Sequence, residues 1–240
     1  MIERHLARLR LRHEISESDV ALIRGAIAEV REIPAGRTLV EAGERLRVST
    51  LVLDGLLCRY KDMKDGQRQI AELHVPGDFA DLHSYTLKRL DHSILTLTPC
   101  RVAVVPHVEL ARITKASERL AYVYWFSTNL DAAIHREWVL SLGRRNALAR
   151  MAALFCELQA RLQVVALADQ TGFALPLNQT QLAECLGLTS VHVNRVLKEL
   201  RTRDLVTFRG GHVSIRDLAG LQRVAEFDPG YLYLERQPAD

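Results

Sequence analysis

Hydrophobic positions change their period more than once along this chain of 240 residues. From Ser16 to Val30 they fall at Val20, Ile23, Ile27 and Val30, which is helical spacing, with Ser16 or Ser18 placed to cap the first turn. From Ile33 to Pro106 the runs shorten. Gly36, Gly43, Gly55, Gly66 and Gly77 separate β-prone segments at 38–40, 50–53, 56–60, 70–73, 94–97 and 101–105, and turn signals at this interval predict an antiparallel sandwich or barrel. Beyond Pro106 the helical period returns. Leu120, Val123, Ser127, Leu130 and Ile134 recur at alternating intervals of three and four, a narrow stripe that serves either as a seam for another helix or as the core face of an amphipathic one. Gly143, followed by Arg144 and Arg145, ends the stripe and predicts a hinge, after which Leu148, Met151, Phe155, Leu158, Leu162 and Val165 start a second helical register.

The last third carries the most specific pattern. A loop at 171–176 leads into two short helical segments that meet across Gly187. Two helices crossing closely need a small residue on the first, here Ala183, a residue tolerant of positive φ at the turn, here Gly187, and an apolar inner face on the second, here Val193, Val196, Leu197 and Leu200. Thr189 is a suitable N-cap, and Ser190, His192, Asn194, Arg195 and Lys198 spread over the outward side. An ordinary helical hairpin would share these features. The adjoining segment favours a nucleic-acid reader: Val206 to Ile215 form a hairpin around Gly210-Gly211, which makes a helix-turn-helix with a wing.

Composition narrows the classes further. At 48% hydrophobic and 25% charged residues the chain can bury a core, so disorder is excluded. The formal net charge of +3 is unevenly distributed, because residues 144–225 hold 11 basic against 6 acidic side chains while 1–143 hold 20 against 19. A local excess of this kind suits a polyanion. Cys58, Cys100, Cys156 and Cys185 are too scattered for a metal site and read as reduced, buried thiols. No apolar run nears the length of a membrane span and the first residues lack a signal-peptide pattern, so a cytoplasmic protein without membrane contact is expected.

In these stretches the chain resembles the Crp/Fnr family, bacterial transcription factors of the cyclic AMP receptor protein and fumarate-nitrate reduction regulator type. The similarity rests on residues 33–36 (Ile-Pro-Ala-Gly), 41–44 (Glu-Ala-Gly-Glu), 76–79 (Pro-Gly-Asp-Phe) and, most specifically, 186–195 (Leu-Gly-Leu-Thr-Ser-Val-His-Val-Asn-Arg). It implies an α+β chain: an antiparallel β-roll sensor of the cyclic-nucleotide-binding type over 1–110, a dimerisation helix and hinge over 111–143, and a winged helix-turn-helix over 144–240. It further implies a non-enzymatic regulator that binds a palindromic site on double-stranded DNA as a homodimer through the Leu120–Ile134 stripe, with RNA polymerase as a further partner. Base contacts then fall to Ser190, Val191 and Arg195, with His192 as an added candidate and Arg195 facing guanine. Where the cyclic AMP receptor has Arg and Glu, this chain has Ser190 and Val191, so a different operator is expected. Thr180 and Lys198, together with Arg209 and His212 on the wing, are expected at phosphates, and Thr189 and Asn194 complete the expected DNA-binding set.

The sensor is less defined. Ser93 matches the nucleotide-binding pattern, but His92 stands where that pattern has Arg, which argues against tight cyclic AMP binding. No cysteine precedes Cys58, which argues against an iron-sulfur cluster, and His74, His83 and His92 are too scattered to indicate haem, so no cofactor is expected. A pocket near Asp81, His92, Ser93, Tyr124 and Asn129 is expected either to hold an unidentified small-molecule effector or to be filled by side chains, leaving a constitutive regulator. Asp81, His83 and Ser84 contain nucleophile and base types, yet the chain has no nucleophile elbow, P-loop, HExxH or dinucleotide fingerprint to accompany them.

Overall fold

The computed structural model describes residues 1–235; residues 236–240, the end of the expected DNA-binding segment, lie outside the described residues. Contacts divide the chain into two compact units, one of residues 1–61, 73–132 and the segment from Tyr233, the other of 62–72 and 133–232.

In the first unit, α1 (Glu3–Arg12) and α2 (Glu17–Gly25) precede the strands. Ser16 caps α2 as expected, its side chain accepting from the Asp19 amide while Asp19 reaches back to the Ser16 amide. The helix is shorter than its periodicity predicts: it stops at Gly25, and Val30 lies exposed on β1 (Glu29–Ile33). Then come β2 (Thr38–Val40), β3 (Val48–Asp54), β4 (Leu57–Asp62), β5 (Arg68–His74), of which 68–72 count with the second unit, the short α3 (Ser84–Leu87), β6 (Ser93–Thr96) and β7 (Cys100–Pro106). They form two antiparallel sheets in the orders β1-β7-β3 and β2-β6-β4-β5. Strands β3 and β7 are apolar on both faces because each face meets a different core. Leu51, Leu53, Ala103 and Val105 pack with α1, α2 and the helices after β7, whereas Val52, Cys100 and Val102 face Leu57, Ala80, Leu90 and Ile94 inside the roll.

Two helices complete this unit, α4 (His107–Ala116) and the first part of α5 (Glu118–Arg144). Here the expected dimer seam is corrected. Leu120 and Val123 are fully buried in the chain's own core beside Leu6, Leu9, Val20 and Ile113; Ser127 bonds the Val123 carbonyl at 2.8 Å; Leu130 and Ile134 are buried as well. The three-four stripe is the core face of an amphipathic helix. The exposed face lies opposite, where Tyr122, Trp125, Asn129, Ala132, Arg136 and Val139 succeed one another at intervals of three and four.

The second unit contains the rest of α5, α6 (Ala147–Val164), β8 (Gly172–Ala174), α7 (Gln179–Leu186), α8 (Ser190–Thr202), β9 (Val206–Arg209), β10 (His212–Ile215), α9 (Leu218–Ala225) and a 3-10 turn (Pro229–Leu232). Gly143 lies inside α5, so the helical break falls later than expected, at Arg145 and Asn146, where Asn146 caps α6 through the Ala149 amide. The loop expected at 171–176 contributes β8, which extends the wing to a three-stranded sheet in the order β8-β10-β9. Within α6 the buried Glu157 carboxylate is a hub. It accepts from the Trp138 indole at 3.1 Å on each oxygen, from Arg161 at 2.8 Å and from the Tyr231 hydroxyl at 2.9 Å, so the closing turn is tied to the helix by a buried polar network.

His5 shows how tightly the core of the first unit is closed. Its Nδ1 donates to the Gly77 carbonyl at 2.9 Å, its ring meets Phe79 edge-on and stacks on Tyr124, and burial, reinforced by nearby Arg8, pushes its pKa down to about 4. The unfolded imidazole titrates higher, near 6.5, so its contribution to stability is present above that value and is lost as pH falls toward 4. Urea unfolding of the wild type is expected to lose about 2 kcal/mol through this residue between about pH 7 and about pH 5. In His5→Gln the pH dependence should be shallower by one proton.

Candidate nucleic-acid interface

Helix α7 begins with a reciprocal capping box, the Asn178 side chain accepting from the Gln181 amide and the Gln181 side chain accepting from the Asn178 amide, both at 2.9 Å. It ends at Gly187, whose φ of +60° turns the chain sharply and favours glycine. Two side chains of the same unit stabilise that end: Gln69 donates to the Glu184 carbonyl at 2.7 Å and Arg150 to the Leu186 carbonyl at 3.0 Å. After the turn, Thr189 caps α8 by accepting from the His192 amide at 3.3 Å.

Behind α8, Val193, Val196 and Leu200 are buried, and the helix packs against α6, α7 and β9. This fixes its outward side. Val191, His192, Arg195 and Lys198 are on that side, with Val191, His192 and Arg195 exposed and Ser190 half-buried, and no acidic residue stands in the first turn to repel a polyanion. Of the expected contact residues, Thr189 spends its hydroxyl on the cap. Asn194, although exposed, donates to the Gln179 side chain at 2.8 Å, tying α8 to α7.

Between the start of α7, the outer face of α8 and the wing lies an open groove of about 1100 Å³. It brings together Thr180, Asn194, Lys198 and Arg209 from the expected set and adds Gln179, Arg201, Thr207 and Arg216. Sequence reasoning passed over Arg201 and Arg216. The signal for Arg201 was available, since it lies three positions after Lys198 on the same helix; Arg216 enters only because β10 runs back beside β9. Four cations against the single acid Asp204 make the groove positive where a phosphate backbone would lie. His212 is exposed at the wing beside Ser214, with 3.3 Å between Nδ1 and Oγ. The wing turn itself uses Gly210 and Gly211 at φ of +59° and +72°, the conformation of a tight hairpin.

The residues expected at an effector pocket keep separate partners. Asp81 is buried and accepts from the Thr50 amide at 2.5 Å; Tyr124 lies against His5 and Phe79; Ser93 accepts from the Ala42 amide at 3.0 Å; His92 meets Asp91 at 3.1 Å; Asn129 is on the exposed face of α5. Among the described residues no hydrogen bond joins any two of the five. Asp81, His83 and Ser84 are likewise separated by their partners: Ser84 pairs with His107 at 3.1 Å, and His83 lies beside Arg59 and Asp131. Among the described residues no helix is long and apolar enough to cross a membrane.

Comparison with known proteins agrees with this geometry. Residues 149–224 match the Crp-like helix-turn-helix domain and residues 30–117 the cyclic nucleotide-binding domain. The transcriptional activator protein FnrL of Cereibacter sphaeroides is 30% identical over 204 residues, which are 82% of this chain and 81% of that protein. The nitrogen fixation regulation protein FixK of Bradyrhizobium diazoefficiens is 28% identical over 183 residues, or 72% of each. Among solved structures, FixK2 from Bradyrhizobium japonicum matches with a TM-score of 0.75 at 25% identity, over 82% of this chain and 97% of that one. Two of these relatives carry regulatory names, a transcriptional activator and a nitrogen fixation regulation protein. With a sensor-type roll, a long helix and a groove-ready winged helix-turn-helix in that order, the chain belongs to the Crp/Fnr family of transcriptional regulators.

Proposed function

We propose that this regulator works in the cytoplasm as a homodimer on a two-fold-related operator, with α8 of each protomer in successive major grooves roughly 34–36 Å apart. The observation that carries the dimer is the exposed stripe of α5. Trp125 is 69% exposed, Tyr122 59% and Val139 60%, although the His13 ring meets Tyr122 edge-on. Tyr122, Trp125 and Val139 share one face of the helix with the small Ala132 between them, an exposed, partly apolar stripe that suits burial by a second copy of that helix. RNA polymerase is proposed as a further partner on family grounds alone.

We also propose that cyclic AMP is not the signal. A cyclic phosphate needs a free guanidinium, and Arg59 directs Nε and one amino group to the Ala80 carbonyl at 3.0 and 2.8 Å and the other amino group to Asp131 at 2.7 Å. His92 supplies no fixed charge, because burial and the neighbouring Arg59 lower its pKa. Any effector is therefore of another class, or the roll serves only as a scaffold; titration of operator binding with and without metabolite extracts separates these two.

Trp125→Glu combined with Ala132→Glu should sediment as a monomer and lose operator affinity by at least about a hundredfold, the avidity of two linked sites; a dimer that persists would overturn the seam. Arg195→Ala should lose about 1–3 kcal/mol of guanine discrimination at one symmetric pair of positions, whereas a uniform loss over all duplexes would assign Arg195 to phosphate. Calorimetry with cyclic AMP at about 1 mM should show no binding heat, and operator affinity should not change.

A further inference from the structure

Val191 is at odds with its surroundings. It is 80% exposed, more than Val108 at 73%, Met1 at 70% or Trp125 at 69%, and it is the second residue of a helix whose other valines are buried. A β-branched apolar side chain adds little to a helix start, where acidic or small polar residues are favoured. Folding does not account for it.

We propose that Val191 reads the C5-methyl group of a thymine in the major groove. The proposal rests on the reading that α8 enters that groove. Among base edges displayed there, the thymine methyl is the apolar feature, and every other edge offers donors or acceptors that a valine would cover without replacing their hydrogen bonds. Val191 thus selects thymine by burying its methyl and disfavours the other bases by stranding their polar groups. The position of Arg195 fixes where this happens. Four residues on, it is exposed on the same side of α8, displaced by about 6 Å along the helix axis. At about 3.4 Å per base step the thymine lies within about two base pairs of the guanine assigned to Arg195. A Glu at position 191, as in the cyclic AMP receptor, would instead accept from the cytosine N4 amino group, so the change from acid to valine exchanges one base for the other.

The test uses the full-length protein and duplexes it selects from random sequence. Each thymine of the selected site is replaced singly by deoxyuridine, which keeps the hydrogen-bonding edge and removes only the methyl. One position per half-site, within about two base pairs of the guanine lost in Arg195→Ala, should weaken binding by about fourfold, the effect of one buried methyl. In Val191→Ala and Val191→Ser that penalty should vanish while guanine preference stays, and Val191→Glu should turn the preference at that position to cytosine. Uracil tolerated at every thymine of a strongly selected duplex, or an undiminished penalty in Val191→Ala, would overturn the proposal. Selection that enriches no duplex at all would overturn the operator reading itself, and this one with it.

Discussion

The burial of Val193, Val196 and Leu200 behind α8 is the constraint on which the DNA-binding unit depends. A helix can rotate about its axis at little cost unless its apolar side is held, and one register error would turn Arg195 away from the surface. Here α6, α7 and β9 each take part of that side, and the Asn194–Gln179 bond fixes α8 to α7 from the front. The reading face is therefore determined before any nucleic acid arrives, which lowers the ordering cost of binding. Gly187 allows the tight approach, and Gln69 and Arg150 satisfy the carbonyls that the abrupt end of α7 leaves over.

Helix α5 shows where pattern reading succeeds and where it misleads. Its existence was evident from periodicity. Which of its faces the chain covers was not, because a stripe of Leu, Val and Ile looks the same whether it meets the chain's own core or a partner, and the stripe of Tyr122, Trp125, Asn129, Ala132 and Arg136 is too mixed to stand out. Only coordinates reveal that Leu120 and Val123 are already covered by α1, α2 and α4. The reading head was legible in detail since a turn glycine, a cap and an alternating hairpin are local signals. Arg216 and β8 were not, because they enter the interface through strand pairing between residues distant in sequence.

The first unit illustrates a different limit. The substitution at His92 was visible in the sequence, but the engagement of Arg59 was not, since its partners Ala80 and Asp131 lie 21 and 72 positions away. An arginine this buried is tolerated because its charge is paired with Asp131 and its other donors meet a carbonyl oxygen. The sequence could suggest Asp81 and Tyr124 as pocket-lining groups; the fold uses them to brace a strand and to fill a core.

The Glu157 hub has a consequence for how the end of this polypeptide can be handled. The Crp-like helix-turn-helix match stops at residue 224, yet Tyr231, seven positions further on, supplies one of the donors on which that buried anion relies. Trimming the protein back to the edge of the matched domain would leave an inner negative charge short of a proton donor at the root of the DNA-binding unit. The stretch that looks like a dispensable tail is, in thermodynamic effect, the final course of the wall.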